Sequence, residues 1–447
     1  METEEKVMRN IIPDKEERRK AKEQFRKIKK FIKKDFGLES KLMGSIAKET
    51  FLKGDKDLDI FVFFPKNVGR EQLEDKGLEI GKKVFEQFDG DYEVEYAEHP
   101  YTKGYIDNFE IEIIPAYLVD NPDDMQSSVD RTPMHTEWVN ENLSREEKDQ
   151  VVLLKVFLKG QNIYGSSLKT RGFAGYLCEI LVARYGSFRE VLKATKKWGE
   201  KQIIDVERHH EKLPKNLEKR FKNDSLIVID PTDPERNVAS VLSLENYSKF
   251  LFKSWKYLKN PSEEFFFPKT VRPNPKKIRE EIKSRGEMYE IFFEKPDLTD
   301  DILYPQLRKL MRRLRDVLEE NEFQLFDYGF HVGDKYVRMV LDLQLSELPG
   351  KRKHRGPKIF HNIENVMDFT SKYPNTWVSG SRLTTIVERE HKFAKDLLED
   401  FLSGDIGEKG VPRNLVDNVQ KRIIREVEVD GTDEWLLFLQ KFLHMRG

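Results

Sequence analysis

Two aspartates stand two residues apart where an apolar segment begins, in the sequence DLDIF at 57–61. Side chains alternate between the two faces of a strand, so Asp57 and Asp59 are expected to project from the same face. Two carboxylates held so close repel each other, and a bound divalent cation neutralises both. The spacing therefore predicts a metal site, although an Asp-x-Asp pair at a strand edge is more often surface decoration.

A second acidic strand is expected at 109–115, where Glu110 and Glu112 alternate with apolar residues. Glu112 is the candidate third ligand beside Asp57 and Asp59. Three carboxylates can hold two Mg²⁺ ions, one lowering the pKa of an attacking hydroxyl and the other bridging nucleotide phosphates. Asp57, Asp59 and Glu112 are therefore predicted to be catalytic and metal-binding in an in-line phosphoryl transfer.

A phosphate-binding feature is predicted shortly before the acidic pair, since Ser45 stands 12 residues before Asp57. Gly44 lets the backbone approach a phosphate, the Ser45 hydroxyl and the amides of the following short helix can donate to it, and Lys48 adds positive charge. A Gly-Ser pair before a helix is usually only a cap. The order of Gly-Ser, Asp-x-Asp and acidic strand favours a nucleotide site.

Two basic features have both a functional and an ordinary interpretation. Lys155 interrupts the apolar run at 151–158, so it needs a compensating anion or an exposed helix face. The run KRKHRGPK at 351–358 follows a predicted strand and suits the phosphates of an RNA duplex, although most basic runs are merely solvated. The candidate RNA contacts are Lys351, Arg352, Lys353, Arg355 and Lys358.

The periodicity of apolar residues places these motifs on an α/β framework. A surface helix over 14–34 is expected first. A βαββ unit follows, with strands at 58–64, 92–97 and 108–114 and a helix at 70–88. Helices then dominate, beginning at 144 and continuing at 172–185, 187–195 and 244–258. Prolines between 260 and 275 indicate a boundary.

The third region again has the order βαββ. It is expected to hold a strand at 288–293, a periodic helix at 303–318 and two strands joined by a Gly333-Asp334 turn. Helices at 384–401 and 433–444 are expected to close it. The predicted domains are a catalytic head, 1–142, a mainly helical neck, 143–270, and a C-terminal region, 271–447.

Composition excludes some classes of protein. Cys178 is the only cysteine among 447 residues, which excludes an intrachain disulfide and a cysteine-cluster zinc site. The 79 Lys and Arg residues balance 80 Asp and Glu, so net charge neither predicts nor excludes a polyanionic partner. The sequence lacks a signal-peptide pattern and an apolar run of ~20 residues. We therefore expect a soluble, cytoplasmic protein without a membrane partner.

Four longer motifs carry a family resemblance. They are YAEHPY at 96–101, SVDRTPMH at 128–135, RGFAGYLCE at 171–179 and DPTDPERNVA at 230–239. With the ordered acidic motifs, they resemble archaeal, class I CCA-adding enzymes of the nucleotidyltransferase superfamily, and the match runs beyond residue 350. The resemblance implies a nucleotidyltransferase palm with a small mixed sheet, a helical central domain, and an α/β C-terminal body and tail that bind RNA.

The resemblance also implies roles for single residues. Asp57, Asp59 and Glu112 match metal-binding carboxylates. Arg236 matches an arginine that helps to read the incoming base. The remaining nucleotide-site positions that match are Ser45, Lys48, His135, Lys155 and Tyr164.

These assignments have departures and rivals. Glu112 stands where the family usually has Asp, and Lys48 stands where Arg is common, which keeps the charge and loses the bidentate fork. Taken alone, His135 and Tyr164 are more often structural residues. Arg236 alone is compatible with a simple pair to an aspartate of its own loop, Asp230 or Asp233.

The activity that the resemblance implies is template-independent addition of C, C and A to the 3′ end of tRNA from CTP and ATP, with release of pyrophosphate. It also implies contact with the tRNA acceptor stem and a homodimer. One alternative is a poly(A) or oligoadenylate polymerase, which uses ATP alone. Others are a catalytically degenerate tRNA-binding protein and a small-molecule nucleotidyltransferase, the last disfavoured by the long C-terminal region.

Overall fold

The computed structural model describes residues 2–96, 99–119, 125, 127–212, 214–269 and 272–445. The chain forms two compact units, Met1–Lys269 and Thr270–Gly447. The motif residues Ala97 and Glu98 lie outside the described residues, so the last residue of the strand predicted at 92–97 does too.

The first unit begins with a five-stranded mixed sheet. Its elements are α1 (Glu2–Ile11), α2 (Lys15–Phe36), β1 (Glu39–Leu42), α3 (Gly44–Ala47), β2 (Asp57–Phe64), α4 (Arg70–Gln87), β3 (Asp91–Tyr96), β4 (Pro100–Ile106) and β5 (Phe109–Tyr117). The strand order is β1-β2-β5-β4-β3, with β2 and β5 parallel. Helices α2 and α4 cover one face, where Leu58, Ile60 and Val62 are buried. Alternation therefore turns Asp57 and Asp59 to the opposite face.

The predicted βαββ unit is correct for β2, α4, β3 and β5 but incomplete. Strands β1 and β4 also join the sheet, each paired antiparallel with a neighbour. Neither strand has a clear alternation of apolar residues. Their conformation therefore depends on pairing with neighbouring strands and not on a local sequence pattern. Strand β5 also continues past its predicted end at 114, because Ala116 and Tyr117 still pair with Phe63 and Phe64.

The rest of the first unit is mostly helical. Its elements are α5 (Thr132–Asn142), α6 (Arg145–Gly160), α7 (Gly175–Tyr185), α8 (Phe188–Ala194), β6 (Gln202–Ile204), α9 (Lys215–Arg220), β7 (Leu226–Asp230), β8 (Asp233–Asn237) and α10 (Leu244–Lys259). A capping box between Ser144 and Glu147 starts α6, as expected. Strands β6, β7 and β8 form a small sheet that was not predicted. The short apolar run of β7 fits either a strand or a helix, and β8, with the sequence DPERN, has no strand pattern of its own.

The second unit is built on a four-stranded antiparallel sheet. Its elements are α11 (Pro275–Arg285), β9 (Glu287–Glu294), α12 (Asp300–Glu320), β10 (Gln324–Val332), β11 (Tyr336–Leu345), β12 (Lys351–Lys358), α13 (Ile363–Lys372), β13 (Trp377–Ser379), β14 (Arg382–Glu388), α14 (Ala394–Phe401), α15 (Val416–Gln420), β15 (Ile423–Glu426) and α16 (Asp433–Phe442). The main sheet has the order β10-β11-β9-β15, and a separate small sheet has the order β12-β14-β13. The predicted hairpin at Gly333-Asp334 joins β10 to β11.

The predicted helix over 384–401 is wrong in its first half. Thr384 and Thr385 are buried in β14, and the helix begins only at Ala394. The sequence of β14, RLTTIVE, is rich in β-branched residues, which favour strands. The basic run at 351–358 also differs from expectation, because it forms a strand of its own, β12, on the edge of the small sheet.

Candidate active site

Four carboxylates share one face of the two parallel strands at the centre of the first sheet. The register of β2 and β5 sets Asp57 beside Glu110 and Asp59 beside Glu112. Partners in a parallel register project to the same side of the sheet, and residues two apart on one strand do so as well. The structure thus aligns the three predicted metal ligands on one face of the sheet, with Glu110 beside them as a fourth carboxylate.

Asp59 lies directly against the backbone of Gly44. A Cβ atom on residue 44 would lie only 1.6 Å from Oδ2 of Asp59, and Gly44 has a φ of 65°, so a side chain here would meet both a clash and strain. Gly44 and Ser45 were predicted to precede a short helix. In the structure Gly44 is the first residue of α3, so the half-buried Ser45 lies inside the helix.

The environment of Asp59 disfavours a bare negative charge. Burial raises the pKa of Asp59 to about 7, and the nearby Glu112 and Asp57 contribute to the rise. Within the described residues, no hydrogen bond reaches this carboxylate. A cation bound at Asp59 would offset both the burial and the repulsion.

The ammonium group of Lys103, in β4, lies on this face. Its Nζ contacts Glu110 and lies 3.1 Å from Oε1 of Glu112, while the hydroxyl of Tyr105 donates to Glu110 at 2.9 Å. These contacts raise the pKa of Lys103 despite its partial burial. In the part of the chain that the structure describes, no three acidic, histidine or cysteine side chains are drawn together as a ready metal cluster. The carboxylates therefore line adjacent strands and do not converge on one point.

A buried ion cluster joins the two lysines that were predicted at the nucleotide site. Nζ of Lys48 lies 2.9 Å from Oε2 of Glu179, and Nζ of Lys155 lies 3.3 Å from Oε1. Lys155 also donates to the carbonyl and the hydroxyl of Thr50, both at 3.0 Å, and the Thr50 hydroxyl donates to Glu179 at 2.6 Å. The anion that Lys155 needs in its apolar helix is therefore Glu179.

Tyr164 meets Lys155 at the start of α7. A Cβ atom on Gly175 would lie 3.3 Å from the hydroxyl of Tyr164 and 3.5 Å from Nζ of Lys155, so both polar groups face this glycine. Burial raises the pKa of Tyr164, which keeps its hydroxyl protonated and able to donate. Tyr164 was predicted either at the nucleotide site or as a structural residue. Its hydroxyl faces the same glycine as Lys155, another predicted site residue, which favours the nucleotide-site interpretation.

Asp230 gathers the remaining predicted nucleotide-site residues. It is fully buried, and its Oδ2 lies 2.7 Å from Nη1 of Arg236 and 3.0 Å from Nε2 of His135. Burial lowers the pKa of His135, so at neutral pH the ring is uncharged and donates its Nε2 hydrogen to the carboxylate. Although burial opposes it, these hydrogen bonds lower the pKa of Asp230. Arg236 therefore does pair with Asp230, as its simpler interpretation predicted.

The two clusters are linked through one aromatic ring. Tyr176 stacks on His135 with ring centroids 3.9 Å apart, and its hydroxyl donates to Asp230 at 3.2 Å. Nζ of Lys48 lies 5.1 Å from the centre of the same ring. The first turns of α7 therefore connect Lys48 at one end to Arg236 at the other.

The basic strand β12 lies in the second unit. Its residues alternate, so Lys351, Lys353 and Arg355 project to one side and Arg352 to the other. On the side of Arg355, the register of the small sheet adds Trp377, which is 43% exposed, across Thr384. All five predicted RNA contacts in this strand carry at least partly exposed side chains, and Lys358 pairs in register with Arg382.

Comparison with known proteins decides the family. A nucleotidyltransferase domain model matches residues 25–135, the second domain of tRNA nucleotidyltransferases matches 149–267, and the C-terminal domain of CCA-adding enzymes matches 285–423. The chain is 37% identical over 418 residues to the CCA-adding enzyme of Methanocaldococcus jannaschii, covering 91% of this chain and 92% of that protein. This chain belongs to the CCA-adding enzyme family.

Other CCA-adding enzymes match over similar lengths. Identity is 40% over 402 residues to that of Thermococcus gammatolerans, covering 86% of each chain, and 36% over 424 residues to that of Pyrococcus abyssi, covering 92% of each. The predicted family and the α/β nucleotidyltransferase fold class are thereby confirmed. Nucleotidyltransferases of this kind use divalent metal ions. No helix among the described residues is long and apolar enough to cross a membrane.

Sequence reasoning missed several residues that organise the site. Glu179 and Tyr176 lie inside the motif RGFAGYLCE, and Asp230 was considered only as a possible partner of Arg236. Glu179 had a readable signal, because a carboxylate between Cys178 and Ile180 in an apolar helix needs a cation as much as Lys155 needs an anion. Lys103 had no comparable signal, since its contacts depend on the register of β4 and β5.

Proposed function

We propose that this chain adds C, C and A to the 3′ end of tRNA from CTP and ATP, without a template and with release of pyrophosphate. Membership of the CCA-adding enzyme family supports this proposal. The observation that carries the chemistry is the register that sets Asp57, Asp59 and Glu112 side by side on one face of β2 and β5. Such a row of oxygen donors suits nucleotidyl transfer.

The residues present fit Mg²⁺ as the divalent cation. Every donor on the face is a carboxylate oxygen, which hard cations prefer, and the raised pKa of Asp59 reflects burial and repulsion that a cation would relieve. We assign Asp57, Asp59 and Glu112 as the residues that would hold it. When bound, the cation supplies charge stabilisation at the reacting phosphate and makes the attacking 3′ hydroxyl more acidic.

The choice of Glu112 over Glu110 rests on their different surroundings. Glu112 is the register partner of Asp59, whereas Glu110 lies beside the more exposed Asp57. Glu110 also accepts hydrogen bonds from both Lys103 and Tyr105, which lower its pKa and satisfy its oxygens. Among the described residues, Glu112 pairs only with Lys103, which also pairs with Glu110. The oxygens of Glu112 are therefore more available to a cation.

The triphosphate is proposed to lie between α3 and the start of α7. Ser45 offers a hydroxyl, Lys48 and Lys155 offer ammonium groups, and Tyr164 offers a hydroxyl that stays protonated. Gly44 allows the backbone to lie against Asp59 and so sets α3 close to the carboxylates. These groups would orient the phosphates and neutralise their charge.

The base of the incoming nucleotide is proposed to meet Arg236. Asp230 holds Nη1 of Arg236 at 2.7 Å, which fixes the plane of the guanidinium and leaves its other nitrogens to donate to acceptors on a cytosine or adenine edge. The side chain is 35% exposed, so it can reach a ligand. The pairing with Asp230 is thus compatible with recognition of the base, because it orients the guanidinium.

The tRNA is proposed to contact β12 through its phosphates. Lys351, Lys353 and Arg355 share one exposed side of the small sheet, and Trp377 lies in the row of Arg355. Cations spaced along a strand beside an exposed aromatic ring suit RNA. We further propose a homodimer in the cytoplasm, on the family resemblance, and the three-domain division 1–142, 143–270 and 271–447.

The test uses purified protein, Mg²⁺ and a tRNA that ends at its discriminator base. CTP alone should give two additions, and CTP with ATP should give three, resolved at single-nucleotide length. A long ladder with ATP alone would instead assign a poly(A) polymerase. Absence of any product, with tRNA binding intact, would assign a catalytically degenerate tRNA-binding protein.

A further inference from the structure

Glu179 is a buried carboxylate in a helix turn that is otherwise apolar. Its exposed fraction is 1%, and Leu177, Cys178, Ile180 and Leu181 around it in sequence are buried as well. Despite the burial, Lys48 and Lys155 lower the pKa of Glu179 to about 2. The group is therefore charged at neutral pH.

Both oxygens of Glu179 are used by groups from other segments. Lys48 follows α3, Thr50 lies in the loop after it, and Lys155 belongs to α6. Glu179 thus joins α7 to the segment that follows α3 and to α6. Removing it would take the paired carboxylate from both lysines at once, since neither has another within salt-bridge distance among the described residues, and would leave Lys155 bonded to Thr50 alone.

The charges of this cluster do not balance. Two ammonium groups bond to one carboxylate, so the cluster itself carries an excess positive charge in a buried environment, where unpaired charge is costly. Asp59, which interacts electrostatically with Lys48, offsets part of this charge. Tyr176 offers its ring face to Lys48 at 5.1 Å, which offsets only part of that cost. An anion that binds beside the cluster would supply the balance.

We infer that Glu179 is a positioning residue, which holds Lys48 and Lys155 at one place so that both act on the triphosphate of the incoming nucleotide. This inference rests on the proposed function and assigns the triphosphate to that cluster. Glu179 itself contacts no phosphate, because its oxygens are occupied by cations and by the Thr50 hydroxyl. Its effect on the nucleotide passes through the two lysines.

A purely structural role makes a different prediction. If Glu179 only kept the fold together, its loss would weaken binding of nucleoside triphosphates and monophosphates alike. If it positions the lysines, its loss affects the outer phosphates and spares the base, because the base is proposed to meet the separate cluster of His135, Asp230 and Arg236. Binding of CTP compared with CMP therefore separates the two roles.

The test measures equilibrium binding of CTP and of CMP to full-length Glu179→Gln. The amide keeps the shape and removes the charge, so we expect CTP to bind about tenfold more weakly, the scale of one charge-assisted contact, while CMP binding stays within about twofold. In steady state the KM for CTP should rise more than kcat falls. The matched control is Glu190→Gln, which removes a lysine-paired carboxylate on the exposed face of α8. This control should leave both affinities unchanged.

A milder variant covers the case in which Glu179→Gln does not fold. Thr50→Val keeps the volume and all charges and removes the hydroxyl that bonds both Glu179 and Lys155. We expect a rise of about threefold in the CTP dissociation constant, with CMP unaffected. Unchanged or tighter CTP binding in the folded variants, or equal weakening of CTP and CMP, would overturn the inference. Wild-type protein that binds CTP but extends no tRNA would instead contradict the proposed function and leave this comparison intact.

Discussion

Asp59 faces Glu112 across the parallel pair of β2 and β5, while Glu110 lies beside Asp57 and is held by Lys103 and Tyr105. This difference between two glutamates on one strand makes the assignment of the third carboxylate testable. It also supplies a control that shares the same strand, charge and degree of burial.

Glu112→Gln should lower the rate of nucleotide addition by at least about a hundredfold, because several kcal/mol of charge stabilisation at the phosphate depend on this oxygen donor. Glu110→Gln should stay within about fivefold of wild type. Single-turnover addition of CMP to tRNA at saturating Mg²⁺ measures both. The reverse order of the two variants would move the third ligand to Glu110.

The stability of the metal-free protein should depend on pH through Asp59. Its folded pKa of about 7 lies above the usual value of 3.8, so the folded state keeps a proton that the unfolded chain has already lost. Protonated Asp59 stabilises the folded state relative to the ionised form. This stabilisation is fully present below about pH 4 and is lost as pH rises to about 7.

Asp59→Asn carries no such proton. In EDTA, we expect the Tm of the variant relative to wild type to increase as pH rises from about 4 to 7 and then to level off. Titrating groups that do not interact with Asp59 are common to both proteins and cancel in the difference. A difference in Tm that is constant over this range would show that Asp59 titrates normally.

Arg236→Ala should relax the choice of base. Asp230 fixes the guanidinium plane, so loss of the arginine removes oriented donors while the lysines that we propose to contact the phosphates stay in place. The ratio of kcat/KM for CTP to that for UTP should fall by about 10- to 100-fold. Asp230→Asn should shift the ratio in the same direction, since it frees the guanidinium. Unchanged selectivity in both variants would remove Arg236 from base reading.

Alternation along β12 gives a test of the RNA surface. Replacing Lys351, Lys353 and Arg355 together by Ala should weaken tRNA binding and reduce the slope of log affinity against log salt by about two to three, one unit or slightly less for each phosphate contact. Arg352→Ala, on the other side of the strand, should change the slope by less than one. CTP binding in the absence of tRNA should be unaffected in all variants. An unchanged slope in the triple variant would place the tRNA elsewhere.

The sequence predicted the parts of the site that depend on local spacing. Asp57 and Asp59 share a face because strand alternation is local, and Lys155 signalled a buried partner because a lysine cannot lie uncompensated in an apolar helix. The identity of that partner, Glu179, could not be read, since its contact with Lys48 joins residues 131 positions apart. Register between β2 and β5 is likewise fixed by tertiary pairing.

The fold shows the same division. Helix α2, which begins at a capping box at Asp14, lies within two residues of its predicted limits, whereas the periodic helix α12 begins three residues before its predicted start. Strands β1, β4 and β14 were missed or assigned as helix, because their conformation depends on pairing with neighbouring strands and not on a local pattern. The basic run was identified by charge alone, and its strand conformation follows from pairing with β14.

The most direct test of the proposed chemistry is addition of a single nucleotide by Asp59→Asn. With saturating Mg²⁺ and CTP and a tRNA ending at its discriminator base, we predict a loss of rate of at least about a thousandfold, with folding and CTP binding retained, because the half-buried carboxylate of Asp59 on the acidic face is gone. Near-normal addition by this variant would contradict the assignment of Asp57, Asp59 and Glu112 as the catalytic group.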